Sequence, residues 1–199
     1  MFSDAARTSM LDSLAPAFAS LHTAFPGQNF ANEVTGGSPA YARKGITFGA
    51  AASGIRTSTT APVFDVPATT VAWIAFGTLV SAGVELAVSP NGANPKEFQL
   101  STVLANGIYL PAHGYVANTS VTFYGGTPPT GLTQGTTYYV VGATVATDQF
   151  QVSAAPSGAA IALTGAATAS CLCSIIAPET FAAQGTFTLA IGATLNLNY

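Results

Sequence analysis

The sequence predicts an all-β protein: a β-sandwich-like parent domain with a short N-terminal helix and an inserted small β module. Three observations predict it. Short apolar runs alternate with clusters of Gly, Pro, Asn and Ser throughout the chain. Helical spacing of apolar residues occurs only before Pro16. Charged residues make up 7% of the 199 positions, where ordinary globular domains carry about 25%.

The helix comes first. Ser3 and Asp4 can cap it, and Ala6, Met10, Leu11 and Leu14 recur at helical spacing. Pro16 disfavours helical geometry at Ala15 and stops it. Strands are expected at residues 17–23, 41–48 and 62–66, with turns at Pro26-Gly27 and Gly36-Gly37-Ser38-Pro39. Residues 71–79 are apolar on both faces, as a central strand requires, and residues 83–88 follow as another strand. After Lys96 the composition shifts: residues 97–199 contain no Lys or Arg, and their only acids are Glu97, Asp148 and Glu179. Strands are expected at 98–100, 108–110, 120–124, 137–141, 149–153 and 160–163, with Cys171 and Cys173 in a further one. The final strands are 185–189 and 193–197. The reading is a parent domain of residues 1–96 plus 178–199, with residues 97–177 looped out of it, since insertions succeed at exposed loop tips.

The charge deficit bounds function. Arg7, Arg43, Lys44, Arg56 and Lys96 are the whole cationic inventory, too few for a nucleic-acid binder. Hydrophobic residues reach 49%, yet the longest strongly apolar stretch, residues 71–76, is far below the ~20 residues of a spanning helix. Membrane insertion is therefore not expected. The N-terminus lacks the continuous apolar core of a signal peptide, being interrupted by Asp4 and Asp12.

Candidate chemistry is sparse. His22 alternates with Ser20 and Phe18 along a strand and reads as a satisfied structural residue. His113 precedes Gly114 in a turn, where its ring can bond its own backbone. A Ser-His-Asp site needs a base oriented by a carboxylate, and Gly37-Ser38-Pro39-Ala40 lacks the final glycine of a nucleophile elbow. The eight acids are too scattered to nominate a pair for glycoside cleavage. Glu33 is read as pairing with Arg43 or capping a turn. Arg43, Lys44 and Arg56 are read as salt bridging to Glu33 or Asp65, with docking onto an acidic neighbour as the functional alternative. Cys171 and Cys173 point to one face of a strand, where a bridge would be badly strained; they read as two small buried hydrophobes. Two thiols without suitably spaced histidines hold no zinc. Tyr109, Tyr115, Phe123, Tyr124, Tyr138, Tyr139 and Phe150 enrich the middle module in rings, which favour small β cores; stacking on a host-surface glycan is the functional alternative. Tyr138 and Tyr139 should face opposite ways. Asn118-Thr119-Ser120 fits a glycosylation acceptor, a pattern without meaning outside a secretory route. Catalytic, cofactor and metal residues are accordingly none.

Some runs resemble a known family. Ser20-Leu21-His22-Thr23-Ala24-Phe25-Pro26-Gly27, Ala31-Asn32-Glu33-Val34-Thr35-Gly36-Gly37-Ser38-Pro39-Ala40-Tyr41-Ala42-Arg43 and Ile46-Thr47-Phe48 resemble tailed-bacteriophage virion proteins of the minor tail protein type, especially those of actinobacterial phages. Pro178-Glu179-Thr180-Phe181-Ala182-Ala183-Gln184-Gly185-Thr186-Phe187-Thr188-Leu189 is similar to that family's C-terminus. Pro111-Ala112-His113-Gly114-Tyr115 through Pro128-Pro129-Thr130-Gly131-Leu132, Gly135-Thr136-Thr137-Tyr138-Tyr139-Val140-Val141 and Phe150-Gln151-Val152-Ser153 look like a β module recurring in phage structural proteins. The resemblance implies a non-enzymatic accessory component of a virion, assembled in the host cytoplasm. The parent domain would attach to the particle and the module would face outward. Its partners would be tail or capsid subunits, with symmetric multi-copy self-association and a host-surface glycan as a further partner. A minor tail protein at the tip or in a fibre-like appendage is the favoured reading; a capsid decoration protein and a carbohydrate-binding adhesin are the alternatives.

Overall fold

The computed structural model describes residues 3–92, 95–168 and 171–196. The chain forms two compact units, one from residues up to Asn91 together with those from Pro178 onward, the other from Gly92 to Ala177. Among the described residues it is all-β apart from one short N-terminal helix and a single 3-10 turn at Gly142–Thr144.

Helix α1 (Asp4–Ser13) starts where the sequence caps it. Ser3 is extended, and its hydroxyl accepts a hydrogen bond from the Ala6 N–H at 3.3 Å. The helix stops at Leu14, which has returned to extended geometry. Of its apolar residues only Leu11 is fully buried, while Met10 faces solvent. A ten-residue helix anchored by one side chain is stable only through tertiary contact.

Strands β1 (Phe18–His22), β2 (Lys44–Gly45), β3 (Ile55–Thr57), β4 (Val63–Val66), β5 (Thr69–Val71), β6 (Trp73–Gly77) and β7 (Glu85–Pro90) complete the first half of this unit. An antiparallel sheet runs in the order β2-β1-β6-β7. β6 is buried along its whole length, as its two apolar faces require. The strand expected at 41–48 is much shorter. Lys44 and Gly45 pair with β1, whereas Phe48 bridges Ser58, so the chain changes partners in between. The strand expected at 83–88 begins later, at Glu85, because Ala82 (φ 52°) and Gly83 (φ 81°) form the turn before it.

The second unit contains β8 (Lys96–Glu97), β9 (Gln99–Leu100), β10 (Ile108–Tyr109), β11 (Ser120–Tyr124), β12 (Thr137–Val140), β13 (Gln149–Phe150), β14 (Val152–Ser153) and β15 (Leu172–Ile175). Its sheets are β14-β12-β11-β15-β8 and β13-β10-β9. The run expected at 149–153 serves both sheets. Gln149 and Phe150 pair with β10, Val152 and Ser153 pair with β12, and the strand breaks at Gln151 between them. Residues 160–163 form no strand. The Ile161 N–H goes to Val152 O and the Leu163 N–H to Asn106 Oδ1, so successive amides find unrelated partners and no ladder builds. Lys96 and Glu97 pair with Cys173 and Leu172; the change in charge composition therefore falls inside β8 rather than at the division of the units.

The chain then returns as β16 (Glu179–Phe181), β17 (Gly185–Thr188) and β18 (Thr194–Asn196), antiparallel to β5, β4 and β3 in turn. Leu197, expected in the last strand, lies outside the described residues. The core of the first unit gathers Leu21, Phe64, Val66, Val71, Phe76 and Phe187 from both halves of the chain. That of the second gathers Ile108, Val121, Phe123, Val140, Phe150 and Cys173.

Candidate functional site

The densest polar cluster in the first unit forms around Glu33 and Arg43. Glu33 sits opposite His22 in an isolated bridge beside β1, and Arg43 immediately precedes β2. Arg43 Nε and Nη2 donate to the two Glu33 carboxylate oxygens at 2.8 and 2.7 Å, a bidentate fork. Nη1 donates to the carbonyls of Ala82 at 2.8 Å and Leu79 at 3.3 Å, which ties down the β6–β7 loop. The guanidinium lies 3.9 Å from the centre of the Phe30 ring. The Tyr41 hydroxyl accepts from the Leu21 N–H at 2.8 Å and reaches Glu33 at 3.4 Å. Burial raises the Tyr41 pKa well above the ordinary tyrosine range. Phe30 itself sits at φ 55°, a strained conformation for a bulky residue. Its N–H is held by Glu85 Oε2 at 3.0 Å, and burial raises the Glu85 pKa.

Beside this cluster an open cleft of about 410 Å³ is lined by Glu33, Tyr41, Arg43 and the loop residues Val80, Ser81 and Ala82. Its charged wall is already satisfied: every guanidinium nitrogen of Arg43 and both oxygens of Glu33 have protein partners. Such a network holds a loop: four of the five guanidinium N–H groups are spent on Glu33 and on the carbonyls of Leu79 and Ala82.

His22 and Ser20 present a geometry that superficially suits nucleophilic catalysis. Ser20 Oγ lies 2.8 Å from His22 Nε2, and His22 Nδ1 lies 2.8 Å from Ala31 O. Because a carbonyl only accepts, Nδ1 carries the proton and Nε2 accepts from the serine. Both side chains are sealed from solvent, and the orienting partner is a carbonyl where a triad needs a carboxylate. Burial lowers the His22 pKa below its usual value. His22 is thus a satisfied structural residue, as its place on the strand suggested.

His113 does what its turn position predicts. Its Nδ1 accepts the Tyr115 N–H at 2.9 Å, and the ring packs against Tyr115 and Phe150 with centroids 4.9 Å away in each case. Nε2 is buried without a hydrogen-bond partner. Tyr115 is likewise buried, which raises its pKa.

The remaining cations are engaged within the chain. Lys44 Nζ lies 3.6 Å from Asp65. Arg56 departs from the expected pairing with Glu33 or Asp65. It donates to the carbonyls of Leu11 at 3.1 Å and Leu14 at 2.5 Å, and lies 3.8 Å from Asp12. It therefore closes the C-terminus of α1, where exposed carbonyls and the helix dipole attract a cation. Arg7 pairs with Asp4, and Lys96 donates to Ala112 O at 3.1 Å. Cys171 and Cys173 are both free and buried. Burial pushes their thiols up to about 11 and about 12. Tyr138 is buried and Tyr139 half-buried, in keeping with opposite faces. Tyr124 is buried as well, and of the module's eight Phe and Tyr rings only Tyr109, at 40%, is exposed. Asn118 uses its side-chain oxygen to accept the Ser157 N–H at 2.7 Å.

The spacing from Glu33 to Arg43 was readable in advance; the Arg56 contacts and the Ser20–His22 bond were not, because they depend on which strands become neighbours. No group of three or more His, Cys, Asp or Glu placed to hold a metal ion occurs among the described residues, and no described helix is long and apolar enough to cross a membrane. No family model, no curated protein and no solved structure matches the chain.

Proposed function

We propose that the protein is a non-enzymatic structural component of a tailed-phage virion, of the minor tail protein type. One observation supports this above the others: all five cations have partners within the chain, where they fasten a loop, a helix end and strand ends. Neither histidine is open to solvent, so the groups best suited to proton transfer at neutral pH serve the framework. What remains outside is a surface poor in free charge, with exposed apolar side chains such as Leu79, Val84, Val103 and Ile191. Surfaces of that kind suit permanent cover by neighbouring subunits, whose interfaces are larger and more apolar than transient ones. The resemblance of residues 20–48 and 178–189 to minor tail proteins supplies the particle.

Immunogold labelling of intact particles tests the reading. Label on the tail supports it. Label confined to the head replaces it with a capsid decoration role. Absence of the protein from purified particles overturns it. A carbohydrate-binding role would require glycan binding that is lost on changing Tyr109 or Tyr139, the rings that are not fully buried.

A further inference from the structure

We infer that Asn91–Gly92 is a self-modifying site, where the asparagine converts without an enzyme to aspartate and isoaspartate, while the same dipeptide at Asn106–Gly107 is locked by the fold. The inference does not depend on the reading of the protein as a virion component.

The chain holds two Asn-Gly pairs, Asn91–Gly92 and Asn106–Gly107. In such a pair the glycine nitrogen can attack the preceding side-chain carbonyl, because glycine has no Cβ to obstruct the approach. The bond from the glycine nitrogen to Cγ forms and the Cγ–Nδ2 bond breaks. The proton of the glycine nitrogen departs with Nδ2 as ammonia. Water then opens the resulting succinimide at either carbonyl. One opening gives aspartate; the other gives isoaspartate, with the backbone rerouted through the side chain. The attacking nitrogen must first give up its proton. A glycine N–H held in a hydrogen bond is therefore protected, as bonded amides are protected from hydrogen exchange.

Asn106–Gly107 is held at both reacting groups. The Gly107 N–H donates to Leu104 O at 2.9 Å, and Asn106 Oδ1 accepts the Leu163 N–H at 3.2 Å. Gly107 is also buried, and its carbonyl accepts the Ser101 N–H at 2.8 Å. Asn91–Gly92 is open at both. Gly92 is exposed, and its N–H has no hydrogen-bond partner among the described residues. Asn91 Oδ1 likewise accepts none among them, and the departing Nδ2 reaches Val71 O only at 3.4 Å. The Asn91 N–H, bonded to Ala72 O at 2.8 Å, fixes the residue just beyond β7. Glycine is required after it, since a Cβ on Gly92 would stand 2.1 Å from Ile175 O. The close approach that demands glycine thus creates the labile pair. Exposure of the asparagine alone would select Asn106, which is exposed where Asn91 is half-buried; the state of the attacking amide selects Asn91. The product adds a negative charge to a chain of formal net charge -3 and loses the donor to Val71 O.

Ageing the full chain in mildly alkaline buffer tests the inference. The two Asn-Gly peptides are then compared by mass spectrometry, with isoaspartyl methyltransferase labelling to detect isoaspartate. The Asn91 peptide should convert at least about tenfold faster than the Asn106 peptide, since two hydrogen bonds must break at the latter. In the urea-unfolded chain the two rates should converge. On ion exchange an acidic form should grow in with time and be lost in Asn91→Gln, whose longer side chain would have to close a larger ring. Equal rates in the folded chain, faster conversion at Asn106 or no conversion at Asn91 overturns the inference. So does a rate difference that survives unfolding, or an acidic form undiminished in Asn91→Gln.

Discussion

The two units secure their buried polar groups by different means. The first concentrates ions: the Glu33–Arg43 fork is surrounded by Tyr41, Phe30 and the loop carbonyls it holds. The second has little charge to use. Asp148 accepts the Ala112 N–H at 2.7 Å, Lys96 reaches Ala112 O, and the third charge, Glu97, is exposed. The histidines repeat the contrast. His22 has partners on both ring nitrogens, while His113 has one bond and a bare Nε2 among aromatic rings. A buried ion pair fixes a loop in one place, because misplacing either partner strands a charge. A ring wedged among rings fills volume and specifies less. The first unit needs such fixing, since Phe30 and Asn32 adopt positive φ in the loop beside the fork.

The largest expected effect follows from breaking that fork. Arg43→Ala leaves Glu33 without its main partner and should cost about 3–5 kcal/mol, measured by urea unfolding. Lys96→Ala in the second unit should cost under about 1 kcal/mol. Equal losses would erase the contrast between the units.

Next come the histidines. His22→Leu strands Ala31 O and leaves Ser20 Oγ only its longer bond to Ala75 O at 3.3 Å, and should destabilise by about 2 kcal/mol. His113→Phe loses one bond but also removes an unpaired donor, so the net cost should be about 1 kcal/mol. A larger loss at His113 would mean that Nε2 has a partner after all, such as ordered water.

The pH dependence sharpens the same comparison. The folded pKa of His22 is lowered from 6.5, with burial the main cause. Above 6.5 both states hold the ring neutral, and the full stability is present. Below 6.5 the unfolded chain binds the proton first, so stability falls with pH until the folded pKa is reached. The slope from this group cannot exceed about 1.4 kcal/mol per pH unit. In His22→Leu the decline between pH 6.5 and 5 should be shallower. An unchanged acid limb would remove His22 from the account.

The smallest effect concerns Lys44 and Asp65, which face each other at 3.6 Å with about a third of each side chain exposed. Lys44→Ala should shift stability by no more than about 0.5 kcal/mol, and high salt should shrink even that. A clear loss would assign Lys44 a second contact.

Amino-acid order alone determined what depends on neighbours along the chain. The Ser3 cap, the stop before Pro16, the burial of β6 and the His113 turn are set within a few residues, by hydrogen-bond reach and by side-chain alternation. The Glu33–Arg43 pair was legible because the two stand ten positions apart across one turn-rich segment. Tertiary structure decided the rest. β16, β17 and β18 find β5, β4 and β3 across more than a hundred intervening residues, and no local pattern encodes such a partner. The same holds for Arg56 on the end of α1 and for the strand lost at residues 160–163. Local conformation is a property of a segment, whereas pairing depends on which segments compete for the same backbone groups once the core has formed.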